Sequence, residues 1–161
     1  MNSGNGEITA EVVYVGYGIT APELNYDDYK GLDVTGKIVL VNRDVPFTDP
    51  YNPEYRKWVG YCYHQYKLEN AVRHGAKGFL YIDGIGANPN ITYDQSIIVC
   101  GIGNEALEDI FAGLKTSNKD ITEKIIRTMK PSSFQTGKNM TIKANTTRHN
   151  DGKGCNVIGL I

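Results

Sequence analysis

What this sequence lacks narrows it first. No sign of charge dominates: 17 basic residues stand against 18 acidic ones, for a net charge of −1. Nothing in that balance supports binding to a phosphate backbone. No apolar run reaches the roughly 18 residues that a membrane-spanning helix requires. The start, Met1-Asn-Ser-Gly-Asn-Gly-Glu7, is polar and glycine-rich and has no signal-peptide character. The three cysteines, Cys62, Cys100 and Cys155, form no C-x-x-C pair, which argues against a zinc knuckle or a thioredoxin-like motif. At most one disulfide can form among them, and Cys100, in Ile97-Ile-Val-Cys100, reads as a small core residue. No serine stands in a Gly-x-Ser-x-Gly context, so a hydrolase elbow is missing. Histidine is scarce too: His64 and His74 do not have the i,i+4 spacing of a metal pair on one helix face, and His149 is remote. His74, just before Gly75, suits a helix C-terminus by charge.

What is present reads as alternating strands and helices in a chain of 161 residues, long enough for one domain with a core of its own. Residues 7–15 are rich in β-branched and aromatic types and form a strand that Gly16 and Gly18 end. Residues 37–42, Lys-Ile-Val-Leu-Val-Asn, fit a short strand buried on both faces. Pro46, Pro50 and Pro53 make 43–58 a long loop. A helix follows over 62–74, with Leu68, Ala71, Val72 and Gly75 on one face and Gly75 or Gly78 as its stop. Phe79–Ile82 is a strand, 83–94 a second loop and Ser96–Cys100 another strand. Asn104 is placed to cap a helix whose buried stripe is Leu107, Ile110, Phe111 and Leu114. A shorter helix is expected near 120–129, capped by Asp120 and stopped by Pro131. Met140, Ile142 and Ala144 alternate as a half-buried strand. A turn at 150–154 and a last strand at 155–161 complete a terminal hairpin. The unit from 38–42 to 79–82 across one helix should be a right-handed parallel crossover, with the outer strands antiparallel. The fold class is therefore mixed α/β, a mixed sheet or sandwich flanked by two or three helices.

Several residue sets invite a chemical reading. Gly16-Tyr-Gly-Ile-Thr-Ala21 matches G-x-G-x-x-A after a strand, the pattern that cradles a dinucleotide pyrophosphate at a helix N-terminus. Pro22 and Glu-Leu-Asn-Tyr-Asp-Asp follow without a helical apolar stripe, so the plainer reading is a strand ending in a tight turn. Asp27 and Asp28 are adjacent and read as turn or cap residues rather than as an acid/base pair. Asp83, Asn88, Asn90 and Asp94 offer loop oxygens to calcium, against the stronger reading of a polar loop. Asn90, Asn139 and Asn145 each begin a glycosylation sequon. The surface that faces substrate or partner is assigned to the aromatic cluster Tyr51, Tyr55, Arg56, Trp58, Tyr61 and Tyr63, because tyrosine and tryptophan supply large contact area with a polar handle. Its alternative is that half of these rings complete the core under the loop.

Two segments carry a resemblance. The first is Val13-Tyr-Val-Gly-Tyr-Gly-Ile-Thr-Ala-Pro-Glu23, continuing through Tyr26-Asp-Asp-Tyr29 to Gly31-Leu-Asp-Val-Thr-Gly-Lys-Ile-Val39. The second is Tyr61 to Asp83, with Asn70-Ala-Val-Arg-His-Gly-Ala-Lys-Gly-Phe-Leu-Tyr-Ile82 at its centre. Together they resemble the protease-associated (PA) domain of zinc aminopeptidases of the glutamate-carboxypeptidase and transferrin-receptor type. The resemblance implies a β-sandwich or open barrel of mixed strands with two or three helices. It sets residues 1–10 apart as a flexible N-terminal segment and makes 11–161 a single domain. Asn156-Val-Ile-Gly-Leu160 looks like the first strand of a peptidase domain that the sequence does not include. The implied role is non-catalytic: gating substrate access or mediating protein interaction in an exported aminopeptidase, at the periplasm, cell surface or medium. No catalytic or metal residue carries over, and no cofactor is expected in this chain. Zinc is expected in the missing peptidase domain, which would be the partner in the same polypeptide. Peptide substrate is a second partner, with no nucleic acid and no membrane insertion. The alternative is a free-standing small-molecule or nucleotide-binding α/β domain using the Gly16/Gly18 turn. A weaker reading is an interaction domain from a subtilisin-like protease or a receptor.

Overall fold

Period-two alternation in the strands builds the architecture. A computed structural model describes residues 3–47, 49–82 and 94–147. Strand β1, Gly6–Tyr14, turns through Gly16 and Gly18 into a small two-stranded sheet of β2, Thr20–Ala21, and β3, Tyr26–Asp27. Strand β4, Ile38–Val41, follows, and all four of its side chains are buried. The long loop then contains a short helix α1, Tyr55–Trp58, before helix α2, His64–Arg73. Strand β5, Gly78–Ile82, and strand β6, Ile98–Ile102, precede helix α3, Asn104–Phe111, helix α4, Asn118–Thr128, and strand β7, Phe134–Ala144.

The main sheet has the order β6-β5-β4-β1-β7. Strands β1, β4, β5 and β6 are parallel, with Val12 opposite Ile38, Ile38 opposite Gly78 and Gly78 opposite Ile98. Strand β7 pairs antiparallel with β1 on the outside. Val12, Tyr14, Ile38, Leu40, Leu80 and Ile98 point to one face, where Ile110, Phe111, Ile121 and Ile125 of α3 and α4 cover them. Val13, Val39, Val41, Phe79, Tyr81 and Val99 point to the other, against Leu68 and Ala71 of α2. Helices on both faces explain why β4 is a continuous apolar run. The sheet also curls. Gly4 N–H donates to Ile97 O at 3.0 Å and Val99 N–H to Ser3 Oγ at 2.9 Å, so the lead-in to β1 reaches β6 across the two intervening strands. The mixed α/β class, with a five-stranded mixed sheet and a second small one, is therefore as the strand and helix pattern and the resemblance imply.

Some expectations are corrected. Residues 6–10, expected within a flexible N-terminal segment, belong to β1, where Gly6, Ile8 and Ala10 face Ala144, Ile142 and Met140 of β7. Strand β7 is longer than Met140–Ala144, because Gly137, at φ +68°, bulges the strand and hides its first half from period-two reading. Asn104 is the first helical residue rather than the cap, which is Gly103. Ser117, not Asp120, caps α4: Ser117 Oγ accepts from Asp120 N–H at 3.2 Å while the Asp120 carboxylate accepts from Ser117 N–H at 3.1 Å, a reciprocal capping box. The 150–161 hairpin lies outside the described residues.

Candidate interaction surface

The Gly16–Thr20 turn is built around one buried carboxylate and one buried ammonium. Asp28 is 1 % exposed. Its Oδ2 accepts from the N–H groups of Tyr17 and Ile19, each at 3.1 Å, and its Oδ1 from the Tyr26 hydroxyl at 3.0 Å. Burial pushes its pKa up to about 7, against the opposing pull of those hydrogen bonds and of Lys67. Lys67, on the inner face of α2, is fully buried; its Nζ donates to the carbonyls of Tyr17 at 2.7 Å, Asn42 at 3.1 Å and Asp44 at 2.6 Å. Burial pulls its pKa down to about 7, opposed by Asp28 and Asp44. Asn70, one turn along, donates to Gly18 O at 3.0 Å, and the Tyr66 hydroxyl to Thr20 O at 2.7 Å. Helix α2 thus holds the turn by side chains.

This geometry decides what the G-x-G-x-x-A motif does. The N–H groups that a phosphate would need at Tyr17 and Ile19 are spent on Asp28, and only a single 3₁₀ turn, Pro22–Leu24, follows the motif. Gly16 has φ +50° and Gly18 φ +69°, a backbone that favours glycine. Asp27 is an Asx-turn residue, accepting at Oδ1 from Tyr29 N–H and Thr20 Oγ1, each at 3.0 Å. Asp28 is not a turn residue but the centre of the turn.

The aromatic cluster divides by depth. Tyr51 is 92 % exposed and Tyr63 60 %, with Val59 between them in sequence at 40 % and Arg56 also outward. Trp58 belongs to the core: it is 5 % exposed, edge-on to Tyr26 at 5.1 Å between ring centres and tilted on Phe47 at 5.8 Å. Its burial against these two rings makes it an anchor rather than a contact residue. Tyr55 is half-buried, edge-on to Phe47 at 6.5 Å. Tyr61 stands edge-on to Tyr66 at 4.9 Å, and its hydroxyl donates to the Glu23 carboxylate. Burial and that carboxylate raise the Tyr61 pKa to about 12. The loop is pinned from below by Trp58 and along its length by Asp49, which accepts from Tyr51 N–H at 2.8 Å, and Asn52, which accepts from Glu54 N–H at 2.9 Å.

The histidines stay apart. His64 opens α2, its imidazole pKa lowered by burial. His74 caps the C-terminus of α2 and stacks on Tyr29 at 4.1 Å between ring centres; burial lowers its imidazole pKa, against the opposing pull of Asp27. Cys62 and Cys100 carry free thiols. Among the described residues no three His, Cys, Asp or Glu side chains converge as metal ligands. Of the calcium set only Asp94 is described, and it accepts from Ser96 N–H at 2.7 Å; Asp83, Asn88 and Asn90 lie outside the described residues, as do Cys155 and His149. Sequence reading missed Lys67 and Asn70. The one available signal was a lysine and an asparagine on the same face as Leu68 and Ala71.

A turn whose N–H groups are taken up by a buried carboxylate, on a curled mixed sheet, defines a mixed α/β domain whose glycine motif does not cradle a phosphate. The chain belongs to the PA domain family: the PA domain model matches residues 8–110. PA domains are protease-associated, found in peptidases, generally non-catalytic, and typical of secreted or extracellular proteins. The comparison with curated proteins finds no match. No helix among the described residues is long and apolar enough to cross a membrane.

Proposed function

We propose that this PA domain is the non-catalytic module of an exported zinc aminopeptidase, and that it gates substrate access or binds protein partners beside the active site. The zinc ions and the catalytic residues of this reading belong to a peptidase domain of the same polypeptide. The observation that carries the proposal is the loop 49–63, which turns Tyr51, Arg56 and Tyr63 outward from a buried Trp58 anchor. A braced loop presenting exposed tyrosines provides contact area at low entropic cost, the property an interface needs.

The test compares this chain with the protein extended through the peptidase domain, on aminoacyl-nitroanilides with added zinc. Turnover by the extended protein alone is expected. Substituting both Tyr51 and Tyr63 by alanine there should shift KM between peptide substrates by about three- to tenfold with kcat little changed. Turnover by the short chain after metal-contamination controls refutes the proposal. A nucleotide titration addresses the alternative, which lacks free N–H donors at Tyr17 and Ile19; saturable binding lost on disrupting the turn would revive it.

A further inference from the structure

A second surface is chemically unlike the aromatic loop. A cleft of about 1300 Å³ lies between α4 with the segment after it and the Pro22–Asp28 turn. Lys30, Lys124, Arg127 and Lys130 line it, and all four are exposed. None of the four is in an ion pair among the described residues; Lys124 Nζ donates to the neutral Ser132 Oγ at 2.9 Å. Three acids line the cleft too, and each has at least one oxygen engaged within the fold. Asp27 holds Tyr29 N–H and Thr20 Oγ1, Asp28 is buried in the Gly16–Thr20 turn, and Asp120 closes the α4 capping box. Four exposed cations without an ion-pair partner among the described residues therefore share this concavity with three acids, of which Asp28 is buried.

The plainest account of a cation at the end of a helix is the helix dipole. It fits Arg127, in the last turn of α4. It does not fit Lys30, which comes from a different part of the chain, or Lys124, a turn earlier. The lining is mixed: Pro22, Ile121, Pro131 and Phe134 add apolar surface to it, beside Asn25, Thr116, Ser132 and Ser133. The cleft is far larger than one phosphate or carboxylate. It offers no aromatic face for stacking bases: Tyr26 is buried, and Phe134 packs on Tyr14 and Phe111.

We propose that this cleft binds an extended acidic peptide segment, with carboxylates on the Lys30/Lys124/Arg127/Lys130 rim and apolar side chains against Pro22, Pro131 and Phe134. Rim charges of this kind set on-rate and selectivity, so the interaction weakens with salt. The proposal stands on the cleft alone and does not depend on the peptidase reading.

Fluorescence anisotropy on the 161-residue chain tests it, with a short labelled peptide alternating glutamate and leucine. Its controls are the same peptide with glutamine for glutamate and a single-stranded oligonucleotide of matched charge. The acidic peptide should bind at least about tenfold more tightly than the glutamine peptide, weakening between about 50 and 150 mM salt. The triple variant K124Q/R127Q/K130Q should lose at least about tenfold, while K57Q/K119Q, which removes exposed lysines outside the cleft, should bind like the unaltered chain. All the substituted side chains are exposed, and matching thermal melts establish that the variants fold. Equal binding of the acidic and glutamine peptides, an unchanged triple variant, or tighter binding of the oligonucleotide overturns the proposal.

Discussion

The carboxylate of Asp28 occupies the space that any side chain at position 16 would need: a Cβ on Gly16 would lie 2.5 Å from Asp28 Oδ1. Gly16→Ala must therefore displace a buried, hydrogen-bonded acid as well as hold φ +50°. Gly36 is the internal comparison, since it has φ +71° and no atom within 4 Å of a built Cβ. Gly36→Ala should cost about 1 kcal/mol, and Gly16→Ala about 2–4 kcal/mol. Urea unfolding of both variants measures the difference, which is the contribution of Asp28.

Asp28 also makes stability depend on pH in the direction opposite to most carboxylates. Its folded pKa, about 7, lies above the ordinary value of 3.8. The folded state thus binds the proton more tightly, and stability falls with pH wherever that holds. The contribution is full below about 4 and is lost as pH rises to about 7. Asp28→Asn keeps the shape and cannot titrate. The unfolding free energy of the unaltered chain relative to this variant should fall by a few kcal/mol across that window. A flat difference, measured by denaturation at half-unit steps, refutes the assignment.

Lys67 ties three separate carbonyls, of Tyr17, Asn42 and Asp44, into one point under α2. Lys67→Met keeps most of the stem's packing but leaves those oxygens without their donor and Asp28 without its nearest buried cation. The expected cost is about 3–5 kcal/mol. Hydrogen exchange should quicken first in the segments 16–20 and 42–45. Uniform quickening across the sheet would instead mean that Lys67 acts through global stability alone.

The aromatic loop should separate cleanly into anchor and contact. Trp58→Ala removes a core ring and should cost about 3–5 kcal/mol. Tyr51→Ala, at a side chain 92 % exposed, should stay within about 0.5 kcal/mol. Trp58 is the only tryptophan, so its fluorescence reports the same transition in the Tyr51 variant.

The legible parts of this fold were those written locally. Ile38–Val41 announced a strand covered on both faces, and Leu68 with Ala71 announced the helix that covers one of them. Gly16 and Gly18 announced a turn, though not its purpose, because Asp28 reaches back across intervening residues to fill it. Lys67 was illegible for the same reason: its partners come from two other stretches of chain, and a lysine in a helix ordinarily faces water. Helix α1 was hidden among prolines, and the first half of β7 behind the Gly137 bulge. The exposed tyrosines were found as a cluster, but their division by depth depends on Tyr26 and Phe47, distant in sequence from the ring they cover.

The two ends of the outer strand pair meet. Asn5 Nδ2 donates to Thr146 O at 2.7 Å, and Thr146 Oγ1 to Ser3 O at 3.1 Å, just beyond the Gly6–Ala144 rung. Load applied to either strand end is then borne by the same corner, Ser3 and Asn5 against Thr146, so the two outer strands hold or open together.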